Sequence, residues 1–419
     1  MTDEIAALTY VKKIAQFSFK KKEDIDEIVR IKLREALKEA VVNCGFYKNR
    51  ETLSSSQFLS KEDVRNNIHA GMISLKYVDH PGLVFDRTSG SAGDTVPYAY
   101  LGGFHRYARM VFPFLINSDW KWRDKYCVFT TVHCSKDRCS TDNLPHFVDR
   151  VKIPTSDDIF MDRDALDRAS AILRENQGTV VHADPFYLCA VASYLDVKGS
   201  CLAFKGISST YELLTPYIKR YLERTFQCRV FDSYGCSEFG SIAFGCEQDG
   251  KHIFEDSVFV EIVDKGRYLD GEVGEIVVTS LENSAMPLIR YRTGDLGKLI
   301  TSPCGCGRTA KMIEIYGRDS QCVSFKGVLY TERDMAWAMD IPGVLLYQLI
   351  QSGSSLAFNI LLEKGYADND KQNKIEREIK NKFMGSEAAH ISVTFVNHIR
   401  PENSGKFKSV IREALNLSN

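Results

Sequence analysis

The sequence predicts an α/β protein, in which a large N-terminal domain with mixed and parallel sheets and helices precedes a small α+β C-terminal domain. Three features support this prediction: a length of 419 residues, an alternation of apolar runs and helical stretches in the middle of the chain, and a change to strands without intervening helices after Lys251. A chain this long exceeds the size at which one hydrophobic core keeps growing, so two domains are expected. We place them at residues 1–317 and 318–419.

The N-terminal region is predicted to be helical. Between Asp24 and Val41, apolar residues recur every four positions with charged residues between them, which is the pattern of an amphipathic helix. We expect this helix to end near Gly45, because glycine can adopt the left-handed conformation that closes a helix. The segment LSKEDVRNN, residues 59–67, has the polar first turn of a second, capped helix.

The middle and the end of the chain predict two kinds of sheet. Apolar runs alternate with helical patterns, which indicates a largely parallel sheet, in the segments GTVVHADPF, YLCAVASYL, SCLAFKG, LLTPYIKRYLERTF and CRVFDSYG. Beyond Lys251, short apolar strands separated by glycine-containing turns indicate antiparallel pairing. The C-terminal domain is expected to contain a hairpin at 344–365, a charged helix at 370–383, a further strand and a last helix from Lys406.

The composition argues against several classes of protein. The 54 basic and 55 acidic residues leave a net charge of -1, so no overall field favours nucleic acid or an anionic membrane surface. The first residues lack the apolar core of a signal peptide, and the longest apolar runs are much shorter than the roughly 20 residues of a membrane-spanning helix. We therefore expect a cytoplasmic protein whose twelve cysteines are reduced thiols, buried residues or metal ligands rather than disulfides.

Two segments near strand ends carry candidate ligand-binding groups. Residues 85–97 combine two glycines with several hydroxyl residues just after an apolar strand, and such a loop can place N–H groups and hydroxyls around phosphate oxygens. No Gly-Lys-Ser/Thr follows, so this is not a Walker loop, and a plain surface loop remains the alternative. Residues 232–240 place an aromatic ring, a hydroxyl and a carboxylate at the end of the strand CRVF, where α/β sheets bind ligands.

Two further segments add one charged residue each. PLIRYRTGDLG, residues 287–297, contains an aspartate after a turn, which could accept two hydrogen bonds from a ribose diol. PENSGK, residues 401–406, places one lysine in a glycine-containing loop before the predicted last helix. Taken singly, the first is an ordinary turn and the second a solvated lysine.

Together, and in this order, the four segments resemble the adenylate-forming superfamily of acyl-CoA synthetases and adenylation domains, in particular the phenylacetate-CoA ligase family. The resemblance extends over nearly the whole chain, and PLIRYRTGD is its most specific motif. It implies an N-terminal adenylation domain and a C-terminal lid that rotates about a hinge near Arg318. One lid orientation would serve adenylation and the other thioester formation.

The resemblance also implies a role for each residue of a nucleotide site. The loop residues would hold the β- and γ-phosphates of ATP: Thr88, Ser89, Gly90, Ser91 and Gly93. The later motifs would bind the rest of the nucleotide: Tyr234 beside adenine with Gly235 next to it, Ser237 at the α-phosphate and Asp295 at the ribose hydroxyls. Three residues would be catalytic: Glu238 as a ligand of Mg²⁺, Arg318 at the ribose or phosphate, and Lys406 between the carboxylate and the α-phosphate.

The function expected from the resemblance is ATP-dependent activation of a carboxylic acid, with release of pyrophosphate, followed by acyl transfer to coenzyme A and release of AMP. The acid expected is aromatic or heteroaromatic. Ala92 replaces a usual hydroxyl in the phosphate loop, and Asp319-Ser320-Gln321 lacks the paired acids common after the hinge. Two alternatives therefore stay open: transfer to an amine or a carrier-protein thiol, and a non-catalytic nucleotide-binding homologue. A homodimer is also left open.

A second constellation predicts a metal centre. Cys246 and His252 are followed about fifty residues later by Cys304 and Cys306, and these side chains can supply the four ligands of a tetrahedral Zn²⁺. Free thiols are the alternative on sequence alone, and the resemblance to zinc-binding members of the phenylacetate-CoA ligase group favours the metal. Four protein ligands would make its role structural. A second histidine and cysteine group at 133–146 is interpreted as pocket or packing residues, and His182 as a hydrogen-bonded structural histidine.

Overall fold

The computed structural model describes residues 2–48, 58–88, 95–129, 147–156, 159–264, 267–269, 271–383, 390–401 and 407–412. The helices in these ranges are α1 (Thr2–Phe17), α2 (Lys22–Asn43), α3 (Lys61–Asn67), α4 (Phe104–Asn117), α5 (Arg163–Glu175), α6 (Pro185–Lys198), α7 (Pro216–Phe226), α8 (Glu332–Met335) and α9 (Asn369–Lys382). Within these ranges, no helix combines the length and the apolar character needed to cross a bilayer.

The strands form two hairpins, one large sheet and one small sheet. They are β1 (Leu83–Arg87), β2 (Pro97–Leu101), β3 (Tyr126–Phe129), β4 (Arg150–Ile153), β5 (Val180–Ala183), β6 (Gly206–Ser209), β7 (Val230–Cys236), β8 (Gly240–Gly245), β9 (Lys251–Ile253), β10 (Val258–Asp264), β11 (Arg267–Tyr268), β12 (Gly274–Ser280), β13 (Tyr291–Ile300), β14 (Met312–Arg318), β15 (Val323–Phe325), β16 (Val328–Tyr330), β17 (Val344–Ser352), β18 (Ser355–Leu362), β19 (Ile391–Val396) and β20 (Val410–Arg412).

The N-terminal helices confirm the sequence prediction, with one correction at the end of α2. The Ser60 hydroxyl accepts the Asp63 N–H and the Asp63 carboxylate accepts the Ser60 N–H, so α3 begins with a reciprocal capping box. Helix α2 ends at an extended Cys44 instead of a left-handed glycine, and Gly45 begins a short 3₁₀ turn. The chain therefore leaves α2 without the predicted glycine cap.

The large sheet joins the two predicted kinds of pairing in a single twelve-stranded surface, in the order β11-β10-β12-β13-β14-β9-β8-β7-β6-β5-β3-β4. Strands β3 to β7 are parallel neighbours, and β7 to β14 pair in antiparallel fashion. The direction changes at β7 and β8. Strand β7 pairs with β6 in the parallel half and with β8 in the antiparallel half. Residues 232–240, which form the end of β7 and the turn to β8, therefore lie at the junction of the two halves.

Both faces of the parallel half are covered by helices. Val180 and Phe231 pack beside the α4 residues Tyr107 and Phe114 on one face. The alternate residues, such as Val181, belong to the core formed with α5, α6 and α7 on the other face. Burial on both sides explains why these strands read as continuous apolar runs instead of alternating ones.

The C-terminal part is a four-stranded sheet, ordered β19-β18-β17-β20, with helix α9. The predicted hairpin, charged helix and following strand are confirmed as β17–β18, α9 and β19. The predicted last helix from Lys406 is wrong over the described residues 407–412. Here Val410 to Arg412 form β20, parallel to β17, because pairing with a buried strand overrides the helical propensity of this segment.

Candidate active site and metal centre

The hairpin between β7 and β8 presents the predicted strand-end residues on a tightly held turn. A side chain at Gly235 would meet the Gly240 carbonyl oxygen at 2.2 Å, so only glycine fits there. Arg106 of α4 donates hydrogen bonds to the carbonyl oxygens of Ser237, at 2.7 Å, and Glu238, at 2.5 Å. Its guanidinium group also lies 4.3 Å from the ring centroid of Tyr100. The turn is therefore braced from α4.

Glu238 is 5% exposed and accepts a hydrogen bond of 2.5 Å from the Tyr291 hydroxyl. Tyr291 is the first residue of β13 and lies within the motif RYRTGD. Burial, and then the charge of Glu238, raises the pKa of Tyr291 above its usual value, so the hydroxyl stays protonated and keeps donating. The most specific sequence motif therefore also holds the carboxylate predicted to bind Mg²⁺.

Asp295 lies in the same region as Glu238. The Tyr234 hydroxyl donates to Asp295 Oδ2 at 2.9 Å, and Arg318 Nε lies 3.9 Å from Asp295 Oδ1. Asp295 and Arg318 face each other in the β13–β14 register. Burial raises the pKa of the Cys236 thiol well above its usual value, and the charges of Glu238 and Asp295 both add to this. Tyr291, which holds Glu238, and Asp295 both lie in β13, so the contacts around the two carboxylates involve one strand.

The phosphate loop is described only at its start. Thr88 donates its N–H to the Val96 carbonyl at 3.0 Å, and its hydroxyl accepts the Val96 N–H at 2.8 Å. These two bonds continue the β1–β2 hairpin and bring together the two ends of the glycine-rich segment. The predicted residues Ser89, Gly90, Ser91, Gly93 and Lys406, and the group at 133–146, lie outside the described residues.

The predicted metal ligands come together although they are far apart in sequence. Cys246 follows β8, His252 lies in β9, and Cys304 and Cys306 lie between β13 and β14. Their ligand atoms all lie within 4.8 Å of one another, with 3.5 Å between the sulfurs of Cys246 and Cys304 and 3.2 Å between Cys306 Sγ and His252 Nε2. Ligands of a tetrahedral Zn²⁺ lie about 3.6 to 3.8 Å apart, as follows from the bond lengths to nitrogen and sulfur.

The surroundings of the four side chains also suit a metal. His252 Nδ1 lies 2.9 Å from the Ala310 carbonyl oxygen, which keeps a proton on Nδ1 and leaves Nε2 as the ligand atom. The Gln248 N–H points at the sulfur of Cys246 and the Arg308 N–H at that of Cys306. Gly250 has no room for a side chain, because a Cβ atom there would lie 2.8 Å from Cys304 Sγ. The donor set therefore fits a closed, structural zinc site.

Known proteins resemble this chain in sequence and in fold. Residues 333–413 match the model of the CapK C-terminal domain family. A phenylacetate-coenzyme A ligase of Pseudomonas putida is 26% identical over 71% of this chain and 71% of its own length. The chain is thus similar in sequence to a phenylacetate-coenzyme A ligase over about two thirds of its length. Among solved structures, a 2-hydroxyisobutyryl-CoA ligase in its postadenylation state, in complex with 2-HIB-AMP, matches 94% of this chain and 91% of its own at 17% identity, with a TM-score of 0.76.

A second solved state of the same ligase also matches this chain. The same 2-hydroxyisobutyryl-CoA ligase in its thioesterification state matches equal shares of both chains, 94% and 91%, but with a TM-score of only 0.57.

Glu332 lies shortly after Arg318, and the sequence does not single it out as a site residue. It begins α8, is 4% exposed, and accepts a 2.5 Å hydrogen bond from Ser409. Burial, and then the charge of Glu212, raises the pKa of Glu332 to about 7, against the opposing effects of the Ser409 hydrogen bond and the Arg318 charge. Gly317 has a φ of 99° and no room for a Cβ atom, which would lie 2.5 Å from that of Glu332.

Arg106 and Tyr291 were also missed as site residues. Arg106 carries no signal in the sequence, because its role depends on how α4 crosses the end of β7. Tyr291 could have been found, since it lies four residues before Asp295 in the motif that was already singled out.

Proposed function

We propose that this protein activates a carboxylic acid with ATP to form an acyl-adenylate and then transfers the acyl group to coenzyme A. The observation that carries the proposal is the proximity of Glu238, Tyr234, Asp295 and Arg318: Asp295 contacts Tyr234 and Arg318, and Glu238 is bound by Tyr291 of the strand that carries Asp295. These four residues come from three strands, β7 or its turn, β13 and β14, so their meeting is a property of the fold and not of a single local motif.

The proposed reaction has two balanced steps. A carboxylate oxygen of the acid forms a bond to the α-phosphorus of ATP, the bond from that phosphorus to the bridging oxygen breaks, and pyrophosphate leaves with the electron pair. The sulfur of coenzyme A then loses its proton and forms a bond to the acyl carbon, and AMP leaves. The first step brings together two anions, so positive charge placed at the reacting phosphate lowers its barrier.

Each described residue has a proposed part in the first step. Glu238 would hold Mg²⁺, which suits a lone buried carboxylate because Mg²⁺ takes one or two carboxylates and fills its other positions with phosphates and water. When bound, Mg²⁺ supplies positive charge that stabilises the transferring phosphate. Asp295 would accept the ribose hydroxyls, with Tyr234 fixing its orientation and Arg318 beside it. Ser237, Gly235 and Thr88 would contact the phosphates and adenine.

Lys406 would complete the site with an ammonium group between the carboxylate and the α-phosphate. ATP–pyrophosphate exchange with a panel of acids tests the first step, and we expect exchange with at least one acid. Lys406→Ala should reduce exchange by about 100-fold or more without lowering the melting temperature. Lys408→Ala, two positions along the chain, is the matched control and should behave as the parent does. If the Lys406→Ala variant catalysed ATP–pyrophosphate exchange at the rate of the parent, the proposed role of Lys406 would be wrong.

The acid and the acceptor need separate tests. The resemblance to phenylacetate-coenzyme A ligase favours an aromatic or heteroaromatic acid, whereas the structural relative carries a hydroxy-aliphatic acyl group in its 2-HIB-AMP complex, so the panel should contain both. Product analysis with coenzyme A, amines and a carrier protein then identifies the acceptor. An amide or carrier-bound product would favour the alternative, which is motivated by Asp319-Ser320-Gln321 after the hinge. Absence of exchange with every acid would favour a non-catalytic homologue.

We also propose that Cys246, His252, Cys304 and Cys306 bind one structural Zn²⁺, and that residues 318–419 act as the mobile lid. Metal analysis of protein purified without added metal should find about one equivalent of zinc per chain, and less than half an equivalent would contradict the site. The exposed Cys201 provides a control, since Cys201→Ser should leave the zinc content unchanged.

A further inference from the structure

Three polar side chains form a connected row across the carboxyl ends of β5, β6 and β7. Ser208 Oγ lies 3.1 Å from His182 Nδ1 and 3.4 Å from Ser233 Oγ. His182 and Ser208 are opposite each other in the β5–β6 register, and Ser233 lies in the next strand. The hydrogen bond expected of His182 from the sequence is therefore made to Ser208, and the polar row continues to Ser233.

The polar row lies on the face of the sheet that α4 covers. Val180 and Phe231 belong to the apolar core on that face, and side chains two positions apart in a strand point the same way. His182 and Ser233 each follow one of these residues by two positions. The His182 ring accordingly lies 6.0 Å from that of Phe114 in α4. An apolar layer thus gives way to polar side chains at the strand ends.

The three strands do not need the polar row to stay together. Their backbone pairing runs without interruption through His182, Ser208 and Ser209. Burying polar side chains costs free energy that their mutual hydrogen bonds at best offset. The contact between Ser208 and Ser233 is also long for a bond between two hydroxyls, so the Ser233 hydroxyl can still bind another group at closer range. These features favour a role in binding over a role in strand pairing.

The open end of the polar row adjoins the proposed nucleotide site. Ser208 is 0% exposed and His182 is 7% exposed, whereas Ser233 is half-buried. Ser233 directly precedes Tyr234, and the carboxyl ends of strands are where α/β sheets bind ligands. Tyr211, just after β6, lies with its ring 6.2 Å from that of His182 and has a φ of 77°. Such strained backbone is concentrated at functional sites.

We propose that Ser233, backed by Ser208 and His182, binds a hydroxyl or amino group carried by the carboxylic acid, an inference that rests on the proposed function. Burial lowers the pKa of His182 to about 4, so the imidazole is neutral at neutral pH and offers one donor and one acceptor. Because the two serine hydroxyls can rotate, the hydrogen bonds of the row can run in either direction. Ser233 can therefore accept a proton from the substituent or donate one to it.

Pairs of acids that differ by one substituent test the proposal in ATP–pyrophosphate exchange. Suitable pairs are phenylacetic with 4-hydroxyphenylacetic acid, benzoic with 2-aminobenzoic acid, and isobutyric with 2-hydroxyisobutyric acid. We expect at least one substituted acid to be preferred by about 10-fold or more in kcat/KM, since a site with a polar group for the substituent rejects the acid that lacks it. Ser233→Ala should abolish most of this preference and leave the unsubstituted acid at about the parental rate.

The preference ratio is informative because a general loss of folded protein lowers both acids of a pair equally. Ser208→Ala should reduce the preference as well, since Ser208 orients the Ser233 hydroxyl. Ser209→Ala is the matched control: Ser209 pairs with Ala183 of the core on the opposite face, and its buried hydroxyl has no hydrogen-bond partner among the described residues. A parental preference in Ser233→Ala, or equal effects of Ser208→Ala and Ser209→Ala, would overturn the proposal.

Direct binding separates this proposal from the proposed function. If no acid supports exchange, the activation reaction is contradicted, and calorimetric titration of the same acid pairs into the parent and into Ser233→Ala then decides. Tighter binding of a substituted acid by the parent alone would support the polar row as a binding site. Equal binding by parent and variant, or no binding of any acid, would overturn it.

Discussion

The proposed nucleotide site and the proposed metal centre are built on the same antiparallel half of the large sheet, yet their chemistry differs. In the proposed metal centre, three thiols and an imidazole turn toward one another and offer four ligand atoms. In the nucleotide site, the carboxylates of Glu238 and Asp295 are each held by a tyrosine hydroxyl and not by each other. A closed set of donors predicts a structural role, whereas carboxylates that are each held by one tyrosine hydroxyl can still bind a cation or a diol.

The two proposed sites lie at opposite ends of the β7–β8 hairpin. The metal centre ties the segments after β8 and β13 together, at one end of the β7–β8 hairpin whose other end carries Glu238. Losing the metal should therefore disturb the site through the hairpin, whereas losing Glu238 should not disturb the metal. This asymmetry can be tested in both directions.

The largest expected effect comes from removing two ligands. Cys304→Ser combined with Cys306→Ser should abolish zinc binding and lower the free energy of unfolding by on the order of 4 kcal/mol, as is usual for loss of a structural metal. Activity should fall in parallel with folded protein. Metal analysis and thermal unfolding, with Cys201→Ser as control, measure this, and a double variant of parental stability would contradict the structural role.

Removing the Glu238 carboxylate should lower activity without lowering zinc content or stability. We expect Glu238→Gln to reduce exchange by about 100-fold or more, because a neutral amide binds Mg²⁺ weakly, while zinc content and melting temperature stay near the parental values. Glu275→Gln on β12, whose carboxylate pairs with the exposed Arg292, is the control for charge. Loss of zinc in the Glu238→Gln variant would show that the two sites are not separable.

A smaller change tests the packing of the metal centre. Gly250→Ala would place a Cβ atom 2.7 Å from Met312 Sδ and 2.8 Å from Cys304 Sγ, and we expect a cost of about 1 to 3 kcal/mol from overpacking with reduced zinc content. Gly305→Ala is a matched control between the two cysteines, because its nearest neighbour would lie 3.7 Å away. Similar results for both variants would mean that the close contact at Gly250 does not matter.

The smallest expected effect concerns Glu332 beside the hinge. A carboxyl group with a folded-state pKa of about 7 binds its proton more tightly in the folded state, so its contribution favours folding at low pH and is lost as the pH rises from about 4.5 to 7. Glu212, Arg318, Asp295 and Tyr347 are the charged or titratable groups around it. Glu332→Gln should remove this contribution, so the difference in unfolding free energy between pH 5 and pH 8 should be smaller in the variant than in the parent. Identical pH dependence in parent and variant would contradict the assignment.

Much of the fold could be predicted because local patterns agree with the tertiary structure. The four-residue period of α2, the capping box of α3 and the alternation that gives β3 to β7 are all confirmed. The segment after Lys406 shows where local reasoning fails. Its residues favour a helix, but Val410 and Ile411 pair with β17. No feature of the local sequence predicts this pairing.

The sequence by itself determined which residue types are available: four ordered segments with nucleotide-binding chemistry, and three cysteines and a histidine suited to zinc. Only the tertiary structure decided which of them meet, because strand order and register bring together residues as distant as Tyr234 and Asp295, or Cys246 and Cys304. It also supplied a support without a sequence signal, namely Arg106 under the β7 turn. Such contacts depend on how helices cross the sheet, and this geometry is set by packing of the whole chain.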